Sequence, residues 1–379
     1  MAASATANSA ANRSSSSSTA TMTNSAPPPS SNAKDSMKST WRLADRSTWG
    51  PFHWIIEIIN GYHWDLDKEI PVYAKTDKIP YIPQWSIQSW ILLHSGIPLA
   101  LHQLLVSVTG WNMPSYVAFG YYTAAFLVFI IREMEQIRWL GHRYGFLDGD
   151  VHERDGIPDV GVARVVMAGP KTLGGRMALA TLLTYKVSEA PLDVMSSWTW
   201  WAWLPFQIGL YGVILDFWFY WYHRAMHDVG GLWKFHRTHH LTKHPNPLLG
   251  AYADDEQEFF DMIGVPFMTF LTFRVLGLPL GFYDWWICHQ YIAFTELGGH
   301  SGLRLHIQAA SPFGWLLAML DCDIVTEDHD LHHRKGWRKS FNYGKQSRLW
   351  DRIFGTCGDR IESNVSNVDY SKPVLVPLP

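Results

Sequence analysis

Eight histidines stand in three tight clusters, and the third is far down the chain from the other two. His223 and His227 are spaced H-x-x-x-H; His236, His239 and His240, and again His329, His332 and His333, are spaced H-x-x-H-H. Spacings of three and four residues place side chains on one face of a helix, so each cluster can aim two or three imidazoles at one point. Packing neutral rings against one another has no stabilising purpose, because each ring brings polar atoms that need partners. Imidazole is the commonest metal ligand in proteins, and eight rings exceed the needs of one ion. The pattern therefore predicts a site for two metal ions and a fold that brings distant segments together. Isolated histidines (His53, His63, His94, His102, His142 and His152) read as ordinary structural residues.

The donor set narrows the chemistry. The three cysteines, 288, 322 and 357, form no C-x-x-C pair, which argues against a thiolate zinc site and a disulfide framework. Carboxylate di-iron bundles use paired E-x-x-H motifs, and no E-x-x-H occurs in the 379 residues. A net charge of -3 argues against a nucleic-acid partner. HERDG at His152–Gly156 is not a zinc-protease motif, and the glycines near 169–175 lack the Gly-Lys-Ser/Thr ending of a phosphate loop.

Long apolar runs set the class. Trp85–Thr109 and Tyr116–Ile131, separated by Gly110, Asn112 and Pro114, read as a transmembrane hairpin within 84–132. Arg132, Arg138 and Arg143 follow it and favour a cytosolic end. The 20 tryptophans beside apolar runs suit membrane interfaces, and the mean hydropathy of -0.08 is diluted by the polar start and the charged second half. Residues 1–40 are Ser/Ala/Thr-rich, lack the apolar core of a signal peptide and read as a disordered tail. Residues 41–83 read as an interfacial or cap segment, 133–197 as a cytosolic connector, 198–356 as the catalytic domain and 357–379 as a C-terminal tail.

If the Arg132 end and the histidines share one side of the membrane, an even number of crossings separates them. The only candidate partner for 198–222 is Arg176–Val187, which is short and charged; either it is a poor span or 198–222 dips in and out. The expected fold class is all-α: an integral-membrane helical bundle with a cytosolic, histidine-rich di-metal cap.

These residues carry a resemblance. D-x-x-x-Y-x-x-H-R-x-x-H from Asp216, L-W-K-F-H-x-x-H-H from Leu232, and H-x-x-H-H followed by N-Y-G and W-D-x-I-F-G-T resemble the fatty acid hydroxylase / sterol desaturase superfamily over 216–356. The resemblance implies a multi-pass, non-haem di-iron oxygenase of the endoplasmic reticulum with a cytosolic active site. Such an enzyme uses O2 to attack unactivated C–H bonds of lipids. It further implies ligands at all eight clustered histidines, and a ninth that best matches His300, whose His-Ser-Gly setting is similar to C-4 methylsterol oxidases; His289 and His306 match less well. Hydroxylation of a lipid, sterol or other apolar metabolite is the leading expectation. A desaturase on the same site and a non-redox, metal-stabilised membrane protein are the alternatives.

Asp216 lies two turns before His223 on the same helical face, and a carboxylate there is costly unless paired. It is expected to accept from the free N–H of a ligating histidine, with Tyr220 hydrogen-bonding to it. His244 lies off the H-x-x-H-H spacing, as a supporting or gating residue. The run Arg334, Lys335, Arg338, Lys339, Lys345 and Arg348 reads as a charged face beside anionic lipid, or as a dock for an acidic electron carrier. Family members with a fused haem domain show His-Pro-Gly-Gly; here His244 is followed by Pro-Asn-Pro, so electrons from NAD(P)H are expected through a separate protein.

Overall fold

A computed structural model describes residues 32–378. Three helices in it are long and apolar enough to cross a membrane: α1 (Gln84–Thr109), α2 (Ser115–Tyr144) and, after α3 (Val162–Thr184), α4 (Trp198–Asp228). The expected hairpin is α1 and α2, turning at Gly110, whose φ of 68° suits a residue without a Cβ. Then come α5 (Val265–Val275), α6 (Phe282–Ser301) and α7 (Thr326–Lys335). The fold is all-α as expected, apart from one two-stranded parallel pair, β1 (Ile79–Tyr81) with β2 (Val368–Pro373).

Much of the stretch read as a connector is helical. The second helix runs on to Tyr144, and α3 takes up much of the remainder. Helix α3 is not among the three helices apolar enough to cross a membrane, but it runs between the two ends of the bundle. Its first residues pack with Trp41, Ile157, Leu241 and Leu249 beside the histidine clusters. Just past its last residue, Tyr185 donates to the carbonyl of Met113 at the far, hairpin-turn end (2.7 Å). The chain returns along α4 to the histidines. Charges hid this helix in the sequence, and the fold neutralises them: Arg176 pairs with Glu296 at 2.6 Å, Arg164 with Asp254 at 2.9 Å and Lys171 with Asp255 at 2.5 Å.

At the centre stands α6, with most of its residues buried. Its tryptophans bring apolar area and a polar handle that must be satisfied. Trp285 donates to Tyr211 Oη at 2.8 Å and Trp286 to the Ser95 carbonyl at 2.9 Å. The helix starts at the hairpin-turn end, where Tyr283 donates to the Glu189 carbonyl at 2.7 Å, and finishes beside the metal-ligand candidates with His300.

Helix α7 is almost wholly polar yet buried from Thr326 to His333, so every charge in it needs a partner. Asp328 caps the helix by accepting the Val325 N–H at 2.8 Å and also pairs with Arg360 at 2.7 Å. Glu327 accepts the backbone N–H groups of Glu362 (2.8 Å) and Ser363 (2.6 Å). Asp330 meets Arg154 at 2.6 Å, with both side chains fully buried. The segment expected as a C-terminal tail is thus stitched into the core. The other expected tail lies outside the described residues up to 31; from there it is tied down, with Ser39 donating to the Ile157 carbonyl at 2.6 Å and Asp35 paired with Arg237 at 2.8 Å.

Candidate metal centre

Nine buried imidazoles converge in two groups. His223, His227, His236, His240 and His332 form one; His239, His300, His329 and His333 form the other. Within each group, one nitrogen per ring lies within 4.8 Å of every other. All eight clustered histidines are therefore brought together, and His300 joins them. The sequence clusters do not map onto the groups one to one. In each H-x-x-H-H the rings divide: His236 and His240 face the first group and His239 the second, while His332 faces the first and His329 and His333 the second.

The opposite ring nitrogens fix the tautomers. His223 Nδ1 donates to the Tyr343 carbonyl at 2.9 Å, His227 Nδ1 to that of Trp337 at 2.9 Å and His332 Nδ1 to that of Phe341 at 2.7 Å. His300 Nδ1 donates to the Glu296 carbonyl at 2.8 Å, His333 Nδ1 to that of Thr242 at 3.1 Å and His236 Nδ1 to Gln257 Oε1 at 2.9 Å. A neutral ring that donates through Nδ1 presents a bare lone pair at Nε2. His223 Nε2 and His236 Nε2 then face each other at 3.0 Å with no proton to share. Two lone pairs so placed call for a cation between them, and the donor set fits a metal. Burial first, and neighbouring imidazoles second, hold His239, His240, His329 and His333 well below the ordinary histidine range, in the neutral form a metal needs.

The chain matches known proteins over this region and beyond it. The family model described as fatty acid hydroxylase matches residues 208–356. Fatty acid hydroxylase vlmA of Lecanicillium sp is 44% identical over 320 residues, 81% of this chain and 87% of its own. The chain belongs to the fatty acid hydroxylase / sterol desaturase superfamily. Alkylglycerol monooxygenase of Xenopus tropicalis is 27% identical over 280 residues (71% of this chain), and methylsterol monooxygenase 2-1 of Arabidopsis thaliana 30% over 161 residues (41%). The chain spans about half the length of each, 54% and 57%. No solved structure matches the chain.

Two expectations about supporting residues in this superfamily member are corrected. Asp216 does not touch a ligating ring. Its carboxylate accepts the backbone N–H groups of Lys345 (2.6 Å), Gln346 (2.9 Å) and Ser347 (3.1 Å), and the Ser347 hydroxyl (2.8 Å). It acts one step back, fixing the loop whose Tyr343 carbonyl holds His223. Tyr220 bonds not to Asp216 but to Thr356 Oγ1 at 3.1 Å and Arg224 at 2.9 Å. Asp216 satisfies N–H groups more than a hundred residues away, which helix spacing does not reveal. His244, His289 and His306 lie outside both groups. His152, Asp155 and His244 form a third candidate grouping, but the two rings stack in parallel 3.9 Å apart, so their in-plane lone pairs do not converge.

Gln257 is the functional residue that the sequence reading missed. It stands in the polar stretch 252–261 with no spacing relation to a histidine, and only the fold brings it to His236. Glu296 also emerges: its carbonyl holds His300, while its carboxylate is clamped between Arg176 and Lys345, each at 2.6 Å. These two charges outweigh burial and hold Glu296 well below the usual carboxylate range. A cavity of about 90 Å³ reaches from Phe126 and Ile130 on α2 and Leu173 on α3 to His300.

Proposed function

We propose that the chain is a membrane-bound di-iron oxygenase that uses O2 to hydroxylate an unactivated C–H bond of a lipid, sterol or other apolar metabolite. The observation that carries this reading is the pair of all-imidazole groups whose lone pairs are turned inward by partners on the opposite nitrogens. Neutral imidazole accepts several first-row metals; relatives named as hydroxylases and monooxygenases favour a metal that works with O2, and among the imidazole-binding metals iron is the one we propose. His223, His227, His236, His240 and His332 would hold one ion, and His239, His300, His329 and His333 the other. Bound iron supplies the one-electron steps by which O2 is activated.

The protein's own part is placement and shelter. Six fixed partners hold six of the nine rings, and burial of all nine keeps water from the centre. The cavity from the second and third helices to His300 offers an apolar substrate a route out of the bilayer. Asp261 lines that cavity, and burial pushes its carboxyl up to about 6, so it takes up a proton in mildly acidic conditions. The arginines that follow Ile131 support a centre on the cytosolic side, and the family resemblance suggests the endoplasmic reticulum as the membrane. NAD(P)H would supply electrons through a separate carrier.

The test is metabolite profiling under ¹⁸O2 of a strain with the wild-type chain against one with His239→Ala, together with metal analysis of both proteins. The expected product carries one ¹⁸O, and its loss accompanies loss of iron. A product two hydrogens lighter with no added oxygen would make the enzyme a desaturase. Identical profiles, or a wild-type protein free of iron, would refute the proposal.

A further inference from the structure

Hydroxylation with O2 consumes two electrons beyond those of the C–H bond: R–H + O2 + 2e⁻ + 2H⁺ gives R–OH + H2O. The five-histidine group is tied to one loop that carries exposed residues. His227 Nδ1 donates to the carbonyl of Trp337 at 2.9 Å and lies 3.3 Å from that of Arg338, both in the turn after α7. The side chains of that turn face outward: Lys335, Arg338 and Lys339 are exposed. A second segment lies alongside. The Trp233 ring is 5.1 Å from that of Trp337, 5.2 Å from His227 and 5.7 Å from His240, and Lys234 beside it is exposed.

The basic run of the sequence has thus divided in two. Arg334, Lys345 and Arg348 turn inward and pair with Asp330, Glu296 and Asp328. Lys234, Lys335, Arg338 and Lys339 have no ion pair among the described residues. The exposed acid nearest in sequence, Asp228, is taken by Arg224 at 3.1 Å. Four unpaired cations around a tryptophan pair that touches two candidate ligands make a surface complementary to an acidic protein. Anionic lipid would satisfy the charge but has no use for the aromatic contact with the ligands.

We propose that Lys234, Lys335, Arg338 and Lys339, around Trp233 and Trp337, form the docking face for an acidic one-electron carrier protein. The carrier loses one electron in each of two encounters, which supplies the pair in the equation above. The proposal rests on the oxygenase reading and names the partner of that same site.

The test uses the iron-loaded, full-length protein in neutral-lipid nanodiscs, with the soluble haem domain of an acidic b-type cytochrome as probe. Binding is measured across ionic strength, and ferrous haem oxidation is followed after mixing. The variant Lys234→Glu/Lys335→Glu/Lys339→Glu leaves Arg338 intact. Binding is expected to weaken at least about tenfold at low salt and lose its salt dependence, with haem oxidation slowed in step. Iron content and dithionite-driven product formation should stay at the wild-type level. Should the triple variant fail to fold, Lys339→Glu alone is expected to weaken binding about threefold. Unchanged affinity and salt dependence would overturn the proposal, as would a loss confined to anionic vesicles. Absence of dithionite-driven product in the wild type would count against the oxygenase reading instead, and the binding arm would still judge the docking face.

Discussion

Gln257 offers a way to perturb one metal group through a side chain that is not itself a ligand. It is buried at 4% exposure, and its Oε1 accepts the His236 Nδ1–H at 2.9 Å. In Gln257→Leu the ring has two options. It keeps its proton on Nδ1 and leaves a buried donor unsatisfied, at about 1–3 kcal/mol. Otherwise it moves the proton to Nε2 and loses the inward lone pair. Either way the five-histidine group weakens. Loss of such a partner typically costs about 10–100-fold in metal affinity, or about 1.4–2.7 kcal/mol. The four-histidine group shares no hydrogen bond with Gln257 and should keep its affinity. Chelator competition, with metal content read as ions per chain, is expected to resolve one weakened and one unchanged site. Equal weakening of both sites, or no change at either, would refute the reasoning.

Asp216→Ala strands three backbone N–H groups and a hydroxyl in a dry interior, so it should lower stability in detergent by about 3 kcal/mol and release metal from the group containing His223; an unchanged Tm would contradict this. Acid should destabilise the chelator-treated protein. Burial first, and the adjacent imidazoles second, hold His239, His240, His329 and His333 well below 6.5. The unfolded chain binds their protons and the folded chain does not, so stability is complete above 6.5 and falls as the pH drops below it. The fall is about 1.4 kcal/mol per pH unit for each ring that stays neutral, and a flat Tm between pH 7 and 5 would refute it. Gly302→Ala should cost more than Gly110→Ala. Both glycines have positive φ (59° and 68°), which costs alanine about 1–2 kcal/mol, but a Cβ at 302 lands on the Arg154 guanidinium while one at 110 meets open space. Equal losses in thermal unfolding would show that the Arg154–Asp330 pair is free to shift.

The parts legible in sequence are those whose signal is local. Histidine spacing, apolar runs and the glycine at 110 act within a few residues, and each survives in the fold. His300 is legible only through the family resemblance, at its His-Ser-Gly match. The third helix is not, because Arg176 becomes tolerable only when Glu296, 120 positions on, comes within 2.6 Å. The basic run failed as a unit for the same reason: sequence places Arg334 beside Lys335, but tertiary pairing sends one inward and leaves the other outside. Gln257 and the carbonyls of Trp337, Phe341 and Tyr343 leave no signature, since any residue type supplies a carbonyl.

The stitching of α7 to residues 360–363 bears on how the protein is made. His329, His332 and His333 sit on a helix two of whose buried acids, Glu327 and Asp328, meet Arg360 and the N–H groups of Glu362 and Ser363 only when those residues have emerged from the ribosome. Translation from His240 to that point takes on the order of ten seconds. Throughout that interval the earlier histidines stand in the nascent chain without the rest of their set. On the proposed reading metal loading is therefore a late event in biogenesis, and a premature stop before residue 360 is expected to leave a chain unable to retain metal at these histidines.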